Sequence, residues 1–116
     1  MKVFLVEDSA ILRQRLLSIL ASIPGAVACG HAAGATEAIA AIEAAKPDAV
    51  VLDIQLENGS GFDVLRAVGA STAVYVLTNF ANDAYRRKAQ SLGARGFFDK
   101  STEVESLRQA LVQASA

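Results

Sequence analysis

Four short apolar runs in this chain each end on a polar residue of a particular kind. Val3-Phe4-Leu5-Val6 runs into Glu7-Asp8, Val50-Val51-Leu52 into Asp53, Val74-Tyr75-Val76-Leu77 into Thr78, and Gly96-Phe97-Phe98 leads to Lys100. Near-continuous apolar runs of this length suit strands covered on both faces, as in a parallel sheet. Val27 to Ala32 differs. There Val27, Cys29 and His31 alternate with Ala28, Gly30 and Ala32, which predicts a half-buried edge strand.

Helical spacing fills the intervals. Leu12, Leu16, Ile19 and Ile23 form a stripe that Pro24-Gly25 stops, with Arg13, Gln14 and Ser18 opposite. Ala38, Ile39, Ile42 and Ala45 mark an alanine-rich helix that ends before Lys46-Pro47. Phe62, Leu65 and Val68 predict a short third helix, and Tyr85, Ala89 and Leu92 a fourth with Gly93 as its C-terminal cap. Thr102 and Glu105 read as a capping box opening a fifth helix, striped by Val104, Leu107, Leu111 and Ala114. Five β-α units in series predict a parallel sheet with helices on both faces and right-handed crossovers. No linker, repeat or low-complexity tract interrupts them, so residues 1–116 read as one domain.

In such a sheet, ligands sit outside the carboxyl ends of the strands. The polar residues that end the runs therefore converge: the carboxylates of Glu7, Asp8 and Asp53, the Thr78 hydroxyl and the Lys100 ammonium. Oxygen donors beside an ammonium suit a hard cation and a phosphoryl group. Singly, each residue has a plainer reading, as a helix or turn cap, a loop start, a strand-end hydroxyl or a surface lysine. The combination carries the chemistry.

Composition narrows the class further. Apolar residues make up 53% of the 116 and charged residues 20%, which predicts a packed core and excludes disorder. A net charge of −1 leaves no electrostatic footprint for nucleic acid, and Arg86-Arg87-Lys88 reads as a solvated helix face. Cys29 is the single cysteine and His31 the single histidine, so neither an internal disulfide nor a zinc cluster is expected. No apolar stretch approaches the ~20 residues of a membrane helix. No signal peptide precedes the first strand, and the expected location is cytoplasmic.

The chain resembles a response-regulator receiver domain, the chemotaxis-type phospho-acceptor domain of bacterial two-component systems. The resemblance spans essentially the whole chain. It rests on Val6-Glu7-Asp8-Ser9, Val51-Leu52-Asp53, Leu77-Thr78, Gly61-Phe62-Asp63-Val64-Leu65, and the segment Leu92 to Lys100, all in order. It implies a single doubly wound (βα)5 flavodoxin-like domain, an α/β fold with strand order 2-1-3-4-5. It also implies that Asp53 accepts the phosphoryl group, with Glu7, Asp8, Asp53 and the Gln55 backbone carbonyl holding Mg²⁺. Thr78 and Lys100 would then contact phosphoryl oxygens, and Phe97 would be the fifth-strand aromatic that swings inward with Thr78 as the switch.

Other phosphate chemistries fit less well. The first strand lacks a Gly-x-Gly-x-x-Gly turn, and no Walker-type loop ending in Lys-Ser or Lys-Thr occurs. A haloacid dehalogenase-type hydrolase would want Asp two residues beyond Asp53, where Gln55 stands. A flavodoxin-like flavin binder is open on fold alone, but leaves three carboxylates beside a lysine unexplained.

Four positions depart from the commonest family form. Glu7 replaces Asp, Ser101 stands where proline and a cis peptide are usual, Asn79 follows Thr78 in place of Ala or Gly, and Glu57 occupies a frequent proline site. Without proline a cis peptide costs ~2.5–4 kcal/mol, so the sequence leaves the Lys100-Ser101 isomer open. None of the four removes an essential group. The resemblance implies a sensor histidine kinase or phosphotransfer protein as donor and a downstream protein as receiver, with no direct nucleic acid or membrane contact. A phosphorylation-dependent homodimer is compatible with it. The expected role is a stand-alone regulator, not an enzyme beyond its own phosphotransfer and autodephosphorylation. The alternatives are the receiver of a longer regulator with a DNA-binding or other output domain, and a scaffold that binds without phosphorylation.

Overall fold

The computed structural model describes residues 1–115; Ala116, the last residue of the expected domain, lies outside the described residues. Strands and helices alternate without exception: β1 (Lys2–Val6), α1 (Ala10–Ala21), β2 (Val27–Ala32), α2 (Ala35–Ala45), β3 (Ala49–Leu52), α3 (Gly61–Val68), β4 (Ala73–Thr78), α4 (Asp83–Ser91), β5 (Gly96–Asp99) and α5 (Val104–Ser115). The strands form one parallel sheet in the order β2-β1-β3-β4-β5, as the resemblance implied.

The period-two geometry of a strand sends alternate side chains to opposite faces, and each face has its own core. Val3 and Leu5 of β1, Val51 of β3 and Leu77 of β4 pack with Leu16 and Leu20 of α1 and Leu107 and Leu111 of α5. Phe4, Val6, Val50, Leu52, Val74 and Val76 face the other way, toward α2, α3 and Ala89 of α4. Strands covered on both faces have no polar positions to alternate, which is why β1, β3 and β4 read as unbroken apolar runs. β2 is the edge strand its alternation predicts, with Val27 and His31 exposed. Gly30 is needed there, because a Cβ would stand 2.9 Å from the Phe4 ring beside the register shift between β1 and β2.

Helix boundaries follow local chemistry. Ser9 caps α1 by accepting from the Leu12 N–H, and Asn82 caps α4 by accepting from the Tyr85 N–H. α2 stops at Lys46, which turns left-handed ahead of Pro47. Gly93 at φ +98° follows α4 as expected, and the Lys100–Ser101 peptide is trans.

Three details differ from the sequence reading. Thr102 and Glu105 do not form the opening box of α5, which begins two residues later at Val104. Asp99 organises the turn instead. Its Oδ1 accepts from the Ser101 N–H and Oγ, and its own N–H donates to the Glu103 carboxylate. Ile23 lies beyond the end of α1, although it is buried, and Ala114 at the end of the α5 stripe is exposed.

Candidate functional site

The carboxyl ends of β1, β3, β4 and β5 meet at one edge of the molecule, and the sheet register fixes their relative heights. Val6 pairs with Leu52 and Leu52 with Val76, so Glu7 and Asp53 leave the sheet side by side. Carboxylate oxygens of Glu7, Asp8 and Asp53 lie within 4.8 Å of one another. The Lys100 Nζ bonds Asp53 Oδ2 at 2.8 Å and sits 3.0 Å from both oxygens of Glu7. Asp53 and Glu7 are buried, whereas Asp8 is exposed.

The backbone around these groups is tightly held. Gln55 donates its N–H to Asp53 Oδ1 at 3.3 Å and bridges Ser60 across the β3–α3 loop. The Gly61 N–H donates to the Ile54 carbonyl, and a Cβ on Gly61 would run into the Asp53 backbone oxygen. Only glycine allows the start of α3 to lie this close to the candidate acceptor. Ser60 and Asp63 close the loop with a reciprocal capping box.

Thr78 is fully buried at the end of β4. Its Oγ1 accepts from the Phe80 N–H at 3.1 Å, and its carbonyl accepts from the Lys100 N–H at 3.0 Å. The hydroxyl is thus turned along its own loop, and the backbone makes the link to Lys100. Phe97 is buried in the α2–α4 core. Asn79 is exposed.

Electrostatics follow from three carboxylates facing one ammonium. Burial pushes the Glu7 carboxyl up to about 7; the Lys100 hydrogen bond opposes this, and the Asp53 charge adds to it. Burial also works against the charged form of Lys100, yet its bonds to Asp53 and Glu7 win and hold its pKa above the usual lysine value. Asp99, at the start of the next turn, is held below the usual carboxylate range by the Ser101 hydroxyl and amide.

Two contributors were not legible as site residues. Arg13 on α1 donates from Nη1 to the Glu7 carbonyl at 2.9 Å, and the Ser9 N–H donates to Glu7 Oε1 at 3.3 Å. Both steady the loop that carries Glu7 and Asp8. A cation one turn into the first helix was the available clue for Arg13. The donor set is all oxygen, clustered and short of positive charge, which fits a hard divalent cation such as Mg²⁺.

An acidic cluster with its lysine, at the strand ends of a 2-1-3-4-5 parallel sheet, is the arrangement expected of a receiver-type domain. The chain belongs to the response regulator receiver domain family, whose profile matches residues 3–112. It is 31% identical over 118 residues to the DNA-binding transcriptional activator DevR/DosR of Mycobacterium tuberculosis, covering 99% of this chain and 54% of that protein. It is 35% identical over 104 residues to protein-glutamate methylesterase/protein-glutamine glutaminase 3 of Geobacter sulfurreducens, covering 88% of this chain and 28% of that protein. The response regulator domain of Thermotoga maritima CheB superposes with a TM-score of 0.86 at 27% identity, over 97% of this chain and 91% of that one. The chain therefore spans about half, or less, of the curated relatives it matches. No helix among the described residues is long and apolar enough to cross a membrane.

Proposed function

We propose that this domain takes a phosphoryl group onto Asp53 from a histidine kinase or phosphotransfer protein and converts that charge into a change of its partner-binding surface. The observation that carries the reading is the Lys100 ammonium, 2.8 Å from Asp53 and in contact with Glu7, beside the Asp8 carboxylate. A phosphoryl acceptor needs positioning and charge neutralisation more than covalent assistance, and these groups supply both.

In the proposed reaction an Asp53 carboxylate oxygen attacks the phosphorus of a phosphohistidine. The new P–O bond forms as the P–N bond breaks, and the imidazole nitrogen keeps the electron pair. Glu7, Asp8, Asp53 and the Gln55 backbone carbonyl are the proposed holders of Mg²⁺, which when bound supplies positive charge against the phosphoryl oxygens. Lys100 would follow those oxygens once Asp53 carries the acyl phosphate, and Thr78 can exchange the Phe80 amide for a phosphoryl oxygen. Hydrolysis by water returns the carboxylate and releases inorganic phosphate, the one turnover proposed for the chain itself.

Phosphorylation replaces the single carboxylate charge of Asp53 with a phosphoryl group of about −1.5 to −2, and the β4–α4–β5 side, where Thr78, Lys100 and Phe97 sit, is the proposed readout. The expected stand-alone role places the receiving surface on a separate protein, in the cytoplasm. The greater length of the relatives favours a second reading, in which the receiving surface is an output domain of the same polypeptide. Incubation with acetyl phosphate and Mg²⁺, followed by mass spectrometry of peptides at neutral pH, tests the proposal. One phosphoryl group on the peptide containing Asp53 supports it; labelling confined to other peptides, or none, overturns it.

A further inference from the structure

The basic run on α4 is not a uniformly solvated face. Arg87 and Lys88 are exposed, though the Lys88 ammonium lies 4.4 Å from the Phe62 ring centroid, while Arg86 is half-buried and makes two contacts with a single residue of β5. Its Nη1 donates to the Phe97 carbonyl at 3.0 Å, and its guanidinium carbon stands 4.8 Å from the centroid of the Phe97 ring. β5 is an edge strand, so its outer side has no strand neighbour, and Arg86 supplies a donor there. The ring beneath is 5% exposed and packs in the core that holds Val76 and Ala89.

We propose that Arg86 is a positioning residue that latches Phe97 in its buried place, so that this side chain sets how readily the α4–β5 face changes when Asp53 is phosphorylated. The link to phosphorylation rests on the function proposed above; the latch itself rests on the two contacts. A planar guanidinium can donate to a carbonyl while lying against an aromatic face, a combination that lysine lacks. Phe97 lies on β5 three residues before Lys100, which directly follows the strand, so a restraint on its backbone oxygen and ring also restrains the segment that delivers the ammonium to Asp53. The latch joins α4 to β5 at a point where both elements flank the site.

The test measures three-bond couplings from Phe97 Cγ to its backbone nitrogen and carbonyl carbon, which report the side-chain rotamer. They are recorded for the wild type, Arg86→Ala and Arg86→Lys, each with and without beryllofluoride and Mg²⁺. In the absence of beryllofluoride, the wild type should show couplings of one dominant rotamer. Arg86→Ala should lose them for averaged values, and Arg86→Lys should fall between. Wild-type couplings in a folded Arg86→Ala protein would overturn the latch. If Arg86→Ala does not fold, Arg86→Lys decides: averaging supports the latch, and unchanged couplings overturn it. Should beryllofluoride leave the wild-type Asp53 and Thr78 amide shifts unmoved, the acceptor reading fails, while the couplings without beryllofluoride still decide the latch.

Discussion

The Lys100 ammonium lies 2.8 Å from Asp53 Oδ2, a contact that spans 47 residues of chain and joins the end of β5 to the end of β3. The same nitrogen also bonds Glu7, so one cation is shared by two carboxylates whose side chains are only 5% and 3% exposed. Removing the cation would leave both buried without compensation, and breaking a buried pair from one side is costly.

Lys100→Ala should therefore lower the stability of the metal-free protein by about 2–4 kcal/mol, below the top of the range for broken buried pairs because Glu7 can take up a proton. Added Mg²⁺ should recover part of the loss. The variant should also bind Mg²⁺ but show little of the amide-shift response to beryllofluoride. Urea unfolding with and without Mg²⁺ checks the first half. A full wild-type shift response would refute the second.

Glu7 gives the site a pH dependence with a definite sign. Its folded pKa, about 7, lies above the ordinary 4.5, so the folded metal-free protein holds a proton that the unfolded chain releases. The stability from this group is complete below 4.5 and is lost as pH rises through about 7. The fall should be no more than about 3 kcal/mol, at ~1.4 kcal/mol per pKa unit, and should be absent in Glu7→Gln. Mg²⁺ affinity should move the opposite way, rising with pH over the same window, since the metal and the proton compete for one carboxylate. Urea unfolding of the metal-free protein and Mg²⁺ titrations across this range, on the wild type and Glu7→Gln, check the two signs in turn.

Arg13→Ala should weaken Mg²⁺ binding although Arg13 is no ligand. Losing its bond to the Glu7 carbonyl frees the loop that presents Glu7 and Asp8. One hydrogen bond of about 1 kcal/mol corresponds to roughly fivefold in affinity. Isothermal titration resolves that change, and an unchanged constant would show that the loop is held by other contacts.

Gly61→Ala should cost about 1–3 kcal/mol and disturb Asp53, because the new methyl meets the Asp53 backbone oxygen and the α3 start must move. Thermal unfolding gives the stability. Amide shifts at Asp53 to Gln55 show whether the acceptor loop has moved, and unaltered shifts with unaltered stability would contradict the close approach.

Much of this was legible in the chain because burial on both faces leaves a simple trace. β1, β3 and β4 could be read as apolar runs, and the residues ending them had to share one edge of a parallel sheet. Glu7, Asp8, Asp53 and Lys100 come together as expected for that reason. The opening of α5 was not legible. Thr102-x-x-Glu105 has the form of a capping box, but the Asp99 carboxylate competes through Ser101 and delays the helix. Contacts between elements left no trace either. Arg13 on the Glu7 carbonyl and Arg86 on Phe97 depend on the placement of helices against strand ends, which periodicity does not encode.

Asp53 is the proposed phosphoryl acceptor, made so by the acidic cluster around it. The most direct measurement is incorporation of acid-labile, base-labile phosphate from acetyl phosphate into the wild type and Asp53→Asn, each with Mg²⁺ and with chelator. Incorporation is expected in the wild type with Mg²⁺ alone, and background levels in the other three samples. Full incorporation into Asp53→Asn would contradict the assignment.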